Sequence, residues 1–156
     1  MTALEIHTHV QALFPEYDIL LDEDVPCIIV PVEAIRTIAM QLRDDESLLF
    51  DVLMCLSGVD YSDGTLGVVY HLDSMKHRHK LTVKVIVPVD DAVLQTVSRV
   101  WRTADWHERE AFDLVGMRFD GHPDLRRILL PDDWEGHPLR KDYEVPEFYN
   151  GMKVPY

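Results

Sequence analysis

LGVVYHLDS (66–74) and HKLTVKVIV (79–87) flank the polar run MKHR (75–78), and the reading of these segments decides the fold. In the second segment Leu81, Val83, Val85 and Val87 alternate with Thr82, Lys84 and Ile86. That is the two-residue period of a strand with one face buried. The pair predicts an antiparallel hairpin, entered through the turn signal Asp63-Gly64. A sheet with one apolar face has to pack that face against another layer.

Upstream, Thr2-Ala3-Leu4-Glu5 reads as a capping box, followed by Ala3, Ile6, Val10, Leu13 and Phe14 on one helical face and a stop at Pro15. Tyr17–Leu21 and Val25–Val30, split by Asp22-Glu23-Asp24, predict a second hairpin. Ile35, Ile38, Ala39 and Leu42 mark a second amphipathic helix that ends near Asp44-Asp45. Leu48 to Leu56 has Phe50, Leu53 and Leu56 at helical spacing, so it is expected to be a short helix or loop leading into a strand at Gly58–Tyr61. Downstream, Asp90-Asp91 is expected to cap a helix with Val93, Val97, Val100, Trp101 and Ala104 on its inner face. The class is α+β: helices packed on one mixed, largely antiparallel sheet.

The remainder behaves differently. The stretch from Trp101 to Pro146 opens as a helix, closes it at Gly116, and then shows no sustained period. Prolines at 123, 131, 138, 146 and 155 break the run from Asp120 to Tyr156, while Leu125, Ile128, Leu129, Leu130, Trp134 and Phe148 argue against disorder. The expected organisation is therefore an α+β domain over 1–119 and an extended, ordered, partner-docking tail over 120–156.

The net charge of −13 opposes binding to nucleic acid and to anionic lipid. No apolar run approaches the ~18 residues of a membrane span. The start, MTALEIHTHV, has no cationic flank and reads as neither signal nor transit peptide, which fits a cytoplasmic location. Cys27 and Cys55 read as reduced thiols and are too few for an iron–sulfur cluster. His71, His77, His79, His122 and His137 lack metal-ligand spacing, and there is no Gly-rich phosphate loop or nucleophile elbow. No metal or cofactor is expected on this chain. Glu108 and Glu110 offer a carboxylate pair to a stand-alone hydrolase, but on a helix they point to different sides. The alternative for Glu108, Arg109, Glu110 and Asp113 is a solvated, ion-paired helix face.

The C-terminal stretch resembles the family of 30 kDa subunits of respiratory NADH:quinone oxidoreductase, the C subunits of complex I. Glu108-Arg109-Glu110 with Asp113 matches its E-R-E-x-x-D, and Gly116 with Phe119 matches G-x-x-F. His122–Leu129 matches H-P-D-L-R-R-I-L, and Asp133–Tyr143 matches D-W-x-G-H-P-L-R-K-D-Y. The match runs without a gap over roughly forty positions, far beyond a short motif.

The resemblance implies a scaffold in the peripheral arm, on the cytoplasmic face of the membrane. It would dock on the large D subunit, which forms much of the quinone pocket, near the iron–sulfur B and I subunits. NAD, FMN, the iron–sulfur clusters and quinone are then expected in those partners. The residues expected to meet partners are Glu108, Arg109, Glu110, Asp113, His122, Asp124, Arg126, Arg127, Asp133, Trp134, His137, Arg140, Lys141 and Asp142. For the arginines, internal pairing with Asp124, Asp132, Asp133 or Asp142 is the competing reading. A chain ending at Tyr156 is read as the form not fused to the D subunit. Within the resemblance, the second reading is the equivalent component of a membrane-bound hydrogenase or of a ferredoxin- or deazaflavin-dependent relative.

Overall fold

A computed structural model describes residues 1–154. The 66–87 hairpin forms as expected: β4 (Thr65–Asp73) pairs antiparallel with β5 (Lys80–Pro88) in register from Thr65↔Pro88 to Asp73↔Lys80. Leu66, Val68, Tyr70 and Leu72 of β4 and Leu81, Val83, Val85 and Val87 of β5 are buried. β3 (Val52–Asp60) adds to β4, while β1 (Leu20–Asp22) and β2 (Cys27–Ile29) form the first hairpin. β2 joins β5 in parallel, so the sheet runs β1-β2-β5-β4-β3 and is mixed.

Helices cover one face. In α1 (Ala3–Leu13), Thr2 Oγ accepts the Glu5 N–H and the Glu5 carboxylate accepts the Thr2 N–H at 2.7 Å, completing the capping box. Its core contribution is Ile6 and Val10, while Leu13 stays exposed. α2 (Ile35–Asp44) buries Ile35, Ile38, Ala39 and Leu42 against the inner face of the sheet. α3 (Ala104–Val115) runs along β3 so closely that a Cβ on Gly58 would sit 3.1 Å from Val115 Cγ2.

Two expectations are corrected. Leu53 and Leu56 lie in a strand, although their three-residue spacing suggests a helix. The β3–β4 register skips Met54, and this β-bulge turns both leucines to the core while Met54 faces solvent. The helix expected from Asp90-Asp91 to Ala104 is absent. In its place stand a 3₁₀ turn at Val89–Asp91, strand β6 (Val93–Gln95) and consecutive turns, and the helix starts only at Ala104. Of the expected inner face, Val97, Val100, Trp101 and Ala104 are still buried, so their apolar spacing reports burial and not helix, while Val93 is half-buried and its neighbour Leu94 turns inward. β6 pairs in parallel with β7 (Arg118–Asp120), which spans the point where the tail begins.

The outer edge of β3 is blunted by side chains of the next segment. Trp101 Nε1–H donates to the Phe50 carbonyl at 2.8 Å, the Thr103 hydroxyl to the Leu53 carbonyl at 3.3 Å, and the Leu56 N–H to His107 Nδ1 at 2.8 Å. An edge satisfied in this way cannot template further strand pairing. No described helix is long and apolar enough to cross a membrane.

The bulge is testable by thermal unfolding. Leu53→Ala and Leu56→Ala should each cost about 2–5 kcal/mol, the usual range for a buried leucine. Met54→Ala, in the middle of the same apolar run, should stay within about 0.5 kcal/mol.

Candidate partner-docking site

On α3, Ala104, Glu108, Ala111 and Val115 form the stripe turned into the molecule, and Arg109 with Asp113, one turn apart, form a second stripe under the tail. The helix ends at Gly116, whose φ of 84° and 2.8 Å Cβ clearance to the His137 ring leave room only for glycine.

Asp113 is fully buried and collects the tail. Its Oδ2 accepts three consecutive backbone N–H groups, from Ile128, Leu129 and Leu130, at 3.0, 2.7 and 2.9 Å. Its Oδ1 accepts Arg127 Nη1–H at 2.7 Å. Burial pushes the Asp113 carboxyl up, but these donors outweigh it and hold the group below the ordinary aspartate value. Arg127 Nη2 donates onward to the carbonyls of Trp134 and Gly136 at 2.8 and 3.0 Å. Arg109 donates to the carbonyls of Arg126 and Arg127 at 3.2 Å each.

Further ties continue the clamp. The Leu139 N–H donates to the Leu114 carbonyl, and His137 Nδ1–H to the Asp113 carbonyl, both at 2.9 Å. The Lys141 N–H donates to Asp60 Oδ2 at 2.8 Å, with Arg140 at 3.8 Å from the same oxygen. Beyond it, Trp134 Nε1–H donates to Tyr143 Oη at 3.1 Å, and Tyr149 Oη–H to Asp133 at 2.8 Å. A two-rung hairpin of β8 (Phe148–Tyr149) and β9 (Met152–Lys153) ends the described tail; Pro155 and Tyr156 lie outside the described residues.

This arrangement separates the expected contact residues into two sets. Glu108, Arg109, Asp113 and Arg127 are spent inside the chain, and the His122 side chain is enclosed. Their side chains are engaged within this chain, and the reading of a solvated helix face is corrected for Glu108 and Asp113, which are fully buried. The physical reason is that the tail has few ladder partners, so buried side chains must satisfy its backbone. Glu110, Asp124, Arg126, Asp133, Lys141 and Asp142 are exposed, and Trp134, His137 and Arg140 are half-buried. Arg126 pairs with Asp124 at 2.9 Å, and Arg140 with Asp142 at 3.3 Å, in line with the internal-pairing alternative. Glu108 and Glu110 do not converge, which removes the carboxylate pair a hydrolase would need. No group of three or more metal-ligating side chains forms among the described residues.

With its polar atoms turned inward, the tail shows apolar side chains outward: Leu129, Leu139, Val145, Phe148 and Met152 are exposed. On the first turn of α3, Trp106 is 61% exposed, with the Arg109 guanidinium 5.4 Å from its ring centroid. Sequence reading overlooked Trp106. The available signal was a tryptophan lying off the apolar stripe of its own helix.

The sequence profile of the family described as "Respiratory-chain NADH dehydrogenase, 30 Kd subunit" matches residues 28–149. The chain belongs to this family. It is 60% identical over 126 residues to the C subunit of NADH-quinone oxidoreductase from Chloroherpeton thalassium, a match covering 80% of this chain and 52% of the relative. The corresponding C subunit of Chlorobium phaeobacteroides is 54% identical over 121 residues, covering 76% and 73%. That of Salinispora arenicola is 48% identical over 129 residues, covering 79% and 53%. The match thus spans about half the length of the first and third of these relatives.

Among solved structures, a trypsin-resistant fragment (1–134) of Nqo5 superposes with a TM-score of 0.59 at 29% identity, covering 79% of this chain and 99% of the fragment. A chain of the archaeal membrane-bound sulfane sulfur reductase superposes with a TM-score of 0.74 at 24% identity, covering 90% and 85%. The second likeness speaks to the fold alone. The α+β fold with its mixed sheet matches that of the Nqo5 fragment, and the C-terminal tail of this chain is irregular.

Removing the central carboxylate should release the tail. Asp113→Ala leaves the Arg127 guanidinium without its counter-ion and three amides without their acceptor, and should cost about 3–5 kcal/mol in thermal unfolding of the chain. Because the folded-state pKa of Asp113 is depressed, its contribution is present above the unfolded value of about 3.9 and lost as pH falls through the lower folded value. An acid-unfolding series should therefore show a steeper loss for the wild type than for Asp113→Asn.

Proposed function

We propose that this chain is a non-catalytic scaffold in the peripheral arm of a proton-translocating NADH:quinone oxidoreductase, held at the cytoplasmic face of the membrane through the complex. Its partners in this reading are the quinone-site D subunit and the iron–sulfur B and I subunits. NAD, FMN, iron–sulfur clusters and quinone belong to the partner subunits. Residues 1–119 serve as the rigid body and 120–156 as the docking tail.

The observation that carries this reading is a tail fixed by buried ties, Asp113–Arg127 above all, yet lined outward with unpartnered apolar side chains. Ordering a segment before it binds removes much of the entropic cost of association. Membership of the family, and relatives named as the C subunit of NADH-quinone oxidoreductase, supply the identity of the complex. Within the docking surface, Trp106 is the expected anchor, since tryptophan is enriched among interface hot spots. The exposed Glu110, Asp124, Arg126, Asp133, Lys141 and Asp142 form the polar rim, with Trp134, His137 and Arg140 behind them. Such a scaffold supports electron transfer by keeping the cluster-to-quinone geometry of its neighbours constant.

The test is affinity purification of the tagged chain from gently solubilised membranes of its host, with the partners identified by mass spectrometry. Recovery of the quinone-site, iron–sulfur and NADH-binding subunits is expected. A nickel–iron hydrogenase partner would shift the assignment to that related complex, and recovery of the chain alone would defeat both. Trp106→Ala and Leu129→Ala should each weaken assembly, by about 2 kcal/mol or more for Trp106, while leaving the melting temperature of the free chain unchanged. A fall in that temperature with assembly intact would place these residues in the fold and not in the interface.

A further inference from the structure

Glu108 is fully enclosed where α3, the turn after β6 and the root of the tail meet. Its Oε1 accepts the Val97 N–H at 2.7 Å, and its Oε2 meets the Thr96 hydroxyl. Thr96 Oγ lies in turn 2.9 Å from Ser98 Oγ, and Ser98 is half-buried, so the two hydroxyls lead from the carboxyl toward the surface. The other titratable groups turned toward Glu108 are Asp105, one turn earlier on α3, His122 from the tail, and Tyr70 from β4.

None of these is a cation. The His122 ring accepts the Asp124 N–H at Nδ1, 3.0 Å away, and its Nε2 faces the Asp105 carbonyl oxygen at 3.2 Å. A carbonyl only accepts, so the single ring proton sits on Nε2 and the imidazole is neutral. At 3.8 Å it is the sole basic group within ion-pair distance of Glu108 among the described residues. The Tyr70 hydroxyl, also fully buried, finds no hydrogen-bond partner among the described residues and feels the Glu108 charge. A carboxylate here has lost its water without gaining a counter-ion, the situation in which an acid keeps its proton.

We propose that Glu108 is a proton-binding site of this protein, and that the Thr96 and Ser98 hydroxyls are the route by which its proton exchanges with solvent. The network is complete in both states. With Glu108 ionised, Thr96 donates to Oε2 and the Ser98 hydroxyl donates to Thr96 Oγ. On proton uptake, Ser98 takes a proton from hydronium in the solvent, leaving water, passes its own to Thr96, and Thr96 passes its own to Glu108. The acid then donates to Thr96, Thr96 to Ser98, and Ser98 to water. The Val97 N–H remains on Oε1 throughout. One proton enters, one carboxylate becomes an acid, and no donor or acceptor is orphaned.

Burial raises the Glu108 carboxyl, the Thr96 and Val97 donors pull it down, and Asp105 raises it again, leaving it at about 7 against an ordinary 4.5. A raised carboxyl stabilises the fold fully below its unfolded value, and the stabilisation is lost as pH rises through the folded value. The site therefore exchanges its proton around neutrality, beside His122 at the root of the tail.

The test is carbon NMR of the chain with labelled glutamate carboxyls, titrated from acid to mildly basic pH. One carboxyl should titrate near neutrality and disappear in Glu108→Gln, whose amide can still accept from Val97 and donate to Thr96. Thr96→Val should move that midpoint upward, because the anion loses a donor. From pH 5 to 8 the folding equilibrium constant of the wild type should fall relative to Glu108→Gln by up to about a hundredfold. If every glutamate carboxyl of the wild type titrates in the ordinary acidic range, the site does not exist, whatever the variants do. A midpoint unmoved by Thr96→Val would overturn the exchange route.

Discussion

The tail depends on one buried carboxylate. Asp113 receives three successive amides and a guanidinium, and the other arm of that guanidinium reaches two carbonyls further along. A segment interrupted by this many prolines has few ladder hydrogen bonds to offer, so its peptide groups need partners from elsewhere. A buried charge alone would be costly, and it is tolerated here because every lone pair aimed at the tail meets a donor. The guanidinium suits the role: its rigid fork serves an acid and two carbonyls at once, which the single ammonium of a lysine would not.

The outward face follows from this inward demand. While buried ties hold the tail against α3 and Asp60, Leu129, Leu139, Val145, Phe148 and Met152 stand exposed among the charged side chains of its outer face. In an isolated globular domain that pattern is a liability, and in a member of an assembled complex it is a surface made ready. The rest of the fold is conventional by comparison. Two helices cover one face of a mixed sheet, and α3 seals β3 while the side chains around it cap the edge carbonyls.

Much of this could be read in advance. The alternation of Leu81, Val83, Val85 and Val87 marked a half-buried strand, and the Thr2–Glu5 capping box and Gly116 marked helix ends, because period, caps and left-handed termini are local properties of the chain. The errors came where a non-local event changed the meaning of a local pattern. A bulge at Met54 gave a strand the spacing of a helix. Past β6, the Glu108 carboxylate accepts the Val97 N–H and the Thr96 hydroxyl, and strand β7 takes up β6, so a stretch with helical apolar spacing became strand and turns.

The sequence by itself determined the strand and helix periods of the body, the absence of a ladder in the tail, and the family, because each is carried by residue order alone. Only the tertiary structure decided which charges of E-R-E-x-x-D are buried within the chain and which stay exposed. Helical spacing shows that Arg109 and Asp113 share a side of α3, but it carries no information on what lies over that side. The tail lies over it. Its amides and carbonyls drew Arg109, Asp113 and Arg127 inside, and left Glu110 and the apolar side chains of the outer face exposed.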